Sequence, residues 1–147
     1  PLLGTWRGRG HGQYPTIRSF DYDDEWVFGH LGKPFVTFVE RTWGGAGQPM
    51  HTESGYLRAV AASEAEVVAS LPTGQAEWGS GTIDVADGVL TVTTDAAVRC
   101  TPRAKTVDRI VRHFRVSGDQ LHYEMQMQAV GQGLTLHLRA QLHRLPH

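Results

Sequence analysis

The chain has 147 residues, 14 Lys and Arg against 15 Asp and Glu for a formal charge of −1, and one cysteine. That balance gives no electrostatic pull towards nucleic acid or an anionic membrane. The lone Cys100 excludes an internal disulfide and any paired-cysteine zinc or iron–sulfur site, and favours a reducing, cytoplasmic setting. No apolar run reaches the roughly 18 residues of a membrane-spanning helix, and the length suits one domain over residues 1–147 with its own core.

In chain order the sequence repeats one unit: a run rich in Val, Ile, Thr and aromatic residues, closed by Gly, Pro or Asp. The expected strands are 4–12, 18–31, 34–43, 50–61, 64–71, 75–85, 88–95, 105–116, 119–130 and 133–144. Between them stand turn signals such as Ala86-Asp87-Gly88, Ser117-Gly118-Asp119 and Gly131-Gln132-Gly133, where Asp-Gly and Gly-Asp pairs admit the positive φ angles of tight hairpins. Helical periodicity is nowhere sustained. Alternation marks the buried face: Phe20, Tyr22, Trp26, Phe28 and His30 share one parity, and Leu121, Tyr123, Met125, Met127 and Ala129 share another.

Ten antiparallel strands in sequence, each apolar on one side, are best satisfied by closing the sheet, which removes its edges. The expected fold is all-β, a ten-stranded antiparallel up-and-down β-barrel of the lipocalin and fatty-acid-binding-protein type. A barrel of that width leaves room inside for a small ligand. No nucleophile with a base and orienting partner stands out, and no phosphate-cradling loop precedes a helix, so any chemistry comes from a cofactor. Eight histidines, at 11, 30, 51, 113, 122, 137, 143 and 147, are the residues suited to a transition metal.

Four ordered blocks carry a resemblance. They are Gly4-Thr5-Trp6-Arg7-Gly8-Arg9-Gly10 followed by Tyr14-Pro15-Thr16-Ile17; Phe28-Gly29-His30-Leu31-Gly32-Lys33-Pro34-Phe35; Pro49-Met50-His51-Thr52-Glu53-Ser54-Gly55-Tyr56-Leu57-Arg58; and Gly131-Gln132 with His137-Leu138-Arg139-Ala140-Gln141-Leu142. Together they span nearly the whole chain, and the sequence resembles the nitrobindins. The resemblance implies a barrel like that of the fatty-acid-binding proteins, with residues 13–17 too short for the two-helix lid. It implies one heme b per chain, with His137 as the proximal iron ligand, Thr16 and Lys105 at the heme, and His51 as a pocket residue. A ferric heme with one open position would bind nitric oxide and isomerise peroxynitrite to nitrate. The partners are then small molecules, met by a monomer or homodimer.

Each assignment has a plainer alternative. His137 shares parity with Thr135, Arg139 and Gln141, as a solvated strand histidine does; a bulge near Gly131–Gly133, or a heme at the barrel mouth, reconciles parity with ligation. His51 is equally a core histidine bonded to backbone, and His30, on the apolar parity, reads as structural. Thr16 follows a stiff Pro15 and also fits an ordinary turn. Lys105 and Arg103 suit propionates or mere exposure, Cys100 has little beside it to activate a thiolate, and His143 and His147 read as surface residues. The rival functions are a carrier of a fatty acid or another apolar molecule, and a heme-based nitric oxide sensor or store.

Overall fold

The computed structural model describes residues 1–146; His147 lies outside the described residues. Ten strands follow one another: β1 (Gly4–Tyr14), β2 (Ile17–His30), β3 (Phe35–Trp43), β4 (Pro49–Ala61), β5 (Glu64–Leu71), β6 (Gln75–Ala86), β7 (Val89–Cys100), β8 (Val107–Ser117), β9 (Gln120–Ala129) and β10 (Thr135–Arg144). Each pairs antiparallel with the next, and β1 pairs with β10 to close an up-and-down barrel without edges. No helix occurs among the described residues. Only Pro15 and Thr16 separate β1 from β2, so no lid spans the mouth there.

Closure depends on β1. At Gly8 a Cβ would stand 1.9 Å from the Gln141 carbonyl oxygen of β10, so the seam closes only because that residue has no side chain. Trp6, fully buried, anchors the same strand: its indole N–H donates to the Leu2 carbonyl at 2.8 Å, and the Arg144 guanidinium lies 4.1 Å over its ring. Asp87 and Gly88 both take positive φ, 51° and 76°, as a tight hairpin between β6 and β7 requires.

One strand departs from expectation. β7 was expected to end at residue 95 and continues to Cys100. Its extension carries Ala96 and Ala97, weak strand formers, which lie opposite Gly79 and Trp78 of β6. A Cβ on Gly79 would stand 2.2 Å from the Asp95 carbonyl oxygen, so small residues are used here for close backbone approach rather than as breakers.

Candidate functional site

The β1–β2, β3–β4, β5–β6, β7–β8 and β9–β10 connections all gather at one end of the barrel, where a cavity of about 570 Å³ opens. Its walls are mainly apolar, with Phe20, Tyr22, Ile110, Met125, Met127 and Leu138 among them. Its polar groups come from different elements and include Thr16, Glu40, His51, Arg103, Lys105 and His137. An apolar cleft with a small number of convergent polar groups is the usual form of a cofactor site.

His137 reaches the cavity through a local irregularity. Leu136 lies opposite Gln126 and Leu138 opposite Met125, so His137 is an extra residue without a partner on β9. This is a β-bulge, and it lets both His137 and Leu138 line the cavity although strict alternation would separate them. The bulge falls at the histidine itself rather than at Gly131–Gly133. The ring is held from two sides. Its Nδ1 is 2.9 Å from the Gln13 carbonyl oxygen, which can only accept, so Nδ1 carries the proton and a neutral ring leaves Nε2 with a free lone pair. Tyr14 meets the ring edge-on at 5.4 Å between centroids. The Tyr14 hydroxyl is itself fixed to β9, accepting from the Ala129 amide at 2.9 Å and within 3.2 Å of the Met127 and Ala129 carbonyl oxygens. Burial lowers the His137 pKa, and nearby His51 pushes the same way; the bond to Gln13 opposes them only in part. The imidazole is therefore kept in the neutral form that metals bind.

At the rim, Thr16, Arg103 and Lys105 are exposed residues of the β1–β2 and β7–β8 connections. The β7–β8 connection is tied to the barrel by Gln75, whose side-chain amide donates to the Lys105 carbonyl at 3.0 Å. Val130, in the β9–β10 turn, has φ 48° and also lines the cavity. A β-branched residue in the left-handed region costs roughly 1–2 kcal/mol, and strain of this kind concentrates at functional sites.

His51 is half-buried in the cavity wall with Nε2 3.6 Å from Glu53 Oε2; its ring makes no backbone bond, so the core-histidine alternative does not hold. His30 is exposed at the opposite end of the barrel, where its Nδ1 accepts from the Gly32 amide at 3.2 Å; the apolar parity of β2 ends at Phe28. Cys100 is exposed against Val107 of β8 and does not line the cavity, and His143 is exposed.

The floor of the cavity is a buried ionic network absent from the expected site residues. Arg112, fully buried, donates to both oxygens of Glu77 (2.7 to 3.1 Å), both of Glu53 (2.5 and 3.0 Å) and the Tyr123 hydroxyl (2.8 Å). Burial works against charge on Arg112, but the two carboxylates outweigh it and raise its pKa. Burial likewise opposes ionisation of Glu53, yet Arg112 holds its carboxyl below the usual value. Asp24 and Glu40 have no such cation. Burial, reinforced by neighbouring carboxylates, pushes Asp24 up to about 7 and Glu40 well above the ordinary carboxylate range. The signal was present in the alternation: Asp24, Glu40, Glu53 and Arg112 occupy the inward parity of their strands.

A closed barrel that presents a neutral imidazole in an apolar mouth cavity defines a cofactor-binding β-barrel. Residues 1–144 match the family described as the THAP4-like, heme-binding beta-barrel domain, and the chain belongs to that family. A protein of Nocardia farcinica named peroxynitrite isomerase is 49% identical over 146 residues, covering 98% of this chain and 87% of its own length. Peroxynitrite isomerase 1 of Mycobacterium tuberculosis is 46% identical over 149 residues, covering 98% and 91%. The crystal structure of Rv2717c from M. tuberculosis superposes with a TM-score of 0.96 at 44% identity, covering 99% of this chain and 94% of that one.

Proposed function

We propose that this protein holds one heme b on Nε2 of His137, isomerises peroxynitrite to nitrate and binds nitric oxide reversibly at the same centre. The observation that carries the reading is the bulged His137, with Nδ1 fixed by Gln13 and the ring kept neutral, in the apolar mouth of a heme-binding family barrel. The relatives named peroxynitrite isomerase support the reaction. When bound, the heme iron supplies a Lewis-acidic, redox-capable centre for rearranging the O–O bond with no net electron change.

The chain's own contributions follow from its residues. Gln13 and Tyr14 orient the imidazole, as the outer partners of a metal-bound histidine do. Met125, Met127, Leu138 and Phe20 surround the cofactor with apolar surface and keep bulk water from its inner face. Arg103 and Lys105 stand at the rim as counter-charges for propionates, and Thr16 offers a hydroxyl there. His51 provides a polar group on the cavity side.

The test is a hemin titration of wild type and His137→Ala, followed at the Soret band, with peroxynitrite decay and nitrate yield measured by stopped flow on the loaded protein. The alanine variant is expected to lose heme affinity by at least roughly 100-fold while its melting temperature stays close to wild type. An unchanged Soret band in the variant would overturn the ligand assignment. A loaded wild type that leaves peroxynitrite decay unaltered would overturn the isomerase assignment.

A further inference from the structure

Below the mouth the barrel holds more acid than it neutralises. Asp24, Glu40, Glu53 and Glu77 are all buried, and Arg112 is the buried cation that answers them. Its N–H groups are used on Glu53, Glu77 and Tyr123, so none is left for the other two carboxyls. Both oxygens of Glu40, Oδ1 of Asp24 and the Tyr22 hydroxyl are buried without a partner. A proton on Glu40 cancels its charge and lets it bond to Asp24, but leaves its second oxygen without a donor, and an unpaired buried polar group is costly. Glu40, a residue 1% exposed, forms part of the cavity wall, as does His51.

One ligand atom each from Glu40, His51 and Glu53 lies within 4.8 Å of the others. We propose that these three residues form a site for a divalent transition-metal ion of the Zn²⁺ class on the cavity floor, separate from the position at His137. Two carboxylate oxygens and an imidazole nitrogen suit Zn²⁺, Co²⁺ or Mn²⁺ better than the all-oxygen preference of Ca²⁺ or Mg²⁺. Three protein ligands with an open side towards the cavity leave a further position for water. Arg112 is balanced by Glu53 and Glu77, and each Glu53 oxygen it bonds keeps a further lone pair for the ion. The ion competes with the protons that Glu40 and Asp24 retain, in a cluster that also includes Tyr22, His51, Glu53 and Arg112, so binding weakens as pH falls.

This site does not depend on the heme assignment, and it is tested without heme. Zn²⁺ is titrated calorimetrically into the heme-free chain, and Co²⁺ binding is followed by its visible absorption. One ion per chain is expected at pH 8, weakened at least roughly tenfold by Glu40→Gln, by His51→Ala and by lowering the pH to 6. His137→Ala should leave it unaltered. Absence of binding at pH 8, equal binding in the His51 variant, or loss only in the His137 variant would each overturn the site. His51 lies in the cavity wall rather than the packed interior, so its variant decides the matter even if Glu40→Gln fails to fold.

Discussion

The two halves of the barrel interior are built by the same strands to opposite ends. In the packed half Trp26 stacks on Phe28 at 5.5 Å and meets Phe38, Phe114 and Tyr123 at 5.6, 5.2 and 4.9 Å between ring centroids, a continuous aromatic cluster. Two residues further along the same inward rows, Trp26 gives way to Asp24, Phe38 to Glu40 and Phe114 to Arg112. Beyond that charged band the cavity begins. The pleat repeats every two residues, so one substitution per strand is enough to end a core and start a binding site. The band also imposes specificity of a kind an oily interior lacks, since each charge must meet its partner or hold a proton.

The largest test of this comparison sets one side chain from each half against the other. Arg112→Met leaves Glu53 and Glu77 buried without their cation and is expected to cost about 3–5 kcal/mol. Phe114→Ala opens a cavity in the packed half at a similar cost, about 3–5 kcal/mol. Urea denaturation measures both, and a rescue experiment separates them. Adding Glu53→Gln and Glu77→Gln to Arg112→Met should recover much of the loss, because the stranded charges are then gone. Failure of the rescue would mean that Arg112 acts mainly as packing.

A smaller contrast lies within β1. Gly8→Ala drives a Cβ against backbone of β10, which cannot move without opening the seam, and should cost roughly 1–3 kcal/mol. At Gly10 the obstacle is the Tyr22 ring, 2.1 Å from the new Cβ, and a side chain can give way. Gly10→Ala is therefore expected to melt closer to wild type than Gly8→Ala but to bind hemin less well, since Tyr22 is displaced towards the cavity. Melting curves and Soret titrations on the two variants would break the distinction if both properties fell together.

The barrel was legible because alternation and turn chemistry act locally: the Asp-Gly turn at 87–88 and the clean parity of 121–129 need nothing from the rest of the chain. The end of β7 was not, because Ala96 and Ala97 belong to that strand only through their pairing with Gly79 and Trp78 of β6. His137 showed the limit of parity. Its neighbours put it outside, and a single-residue bulge, invisible in composition, brings it to the cavity. The ionic floor was visible as charged residues on apolar rows. Its meaning was not, since the Arg112–Glu53 and Arg112–Glu77 bonds join residues 59 and 35 positions apart.

The charged band also makes the two halves respond differently to pH. Asp24 ordinarily titrates near 3.8 and is pushed up to about 7 by burial, with Glu40 shifted the same way. Between those values the folded protein holds a proton that the unfolded chain has released. The stability this contributes is complete below the unfolded pKa and is lost as pH rises through the folded one. His137 acts in the other direction: burial lowers its pKa below 6.5, so the folded state binds fewer protons and acidification weakens it. Two carboxyls against one imidazole leave a net loss of stability from pH 5.5 to 7.5. Asp24→Asn carries no titrating proton at that position, so the wild-type loss across this range should exceed the variant's by about 2 kcal/mol, given ~1.4 kcal/mol per proton per pH unit. Urea denaturation of both proteins at the two pH values measures it. Parallel pH profiles would show that Asp24 is ionised throughout, with its charge answered by a group other than a proton.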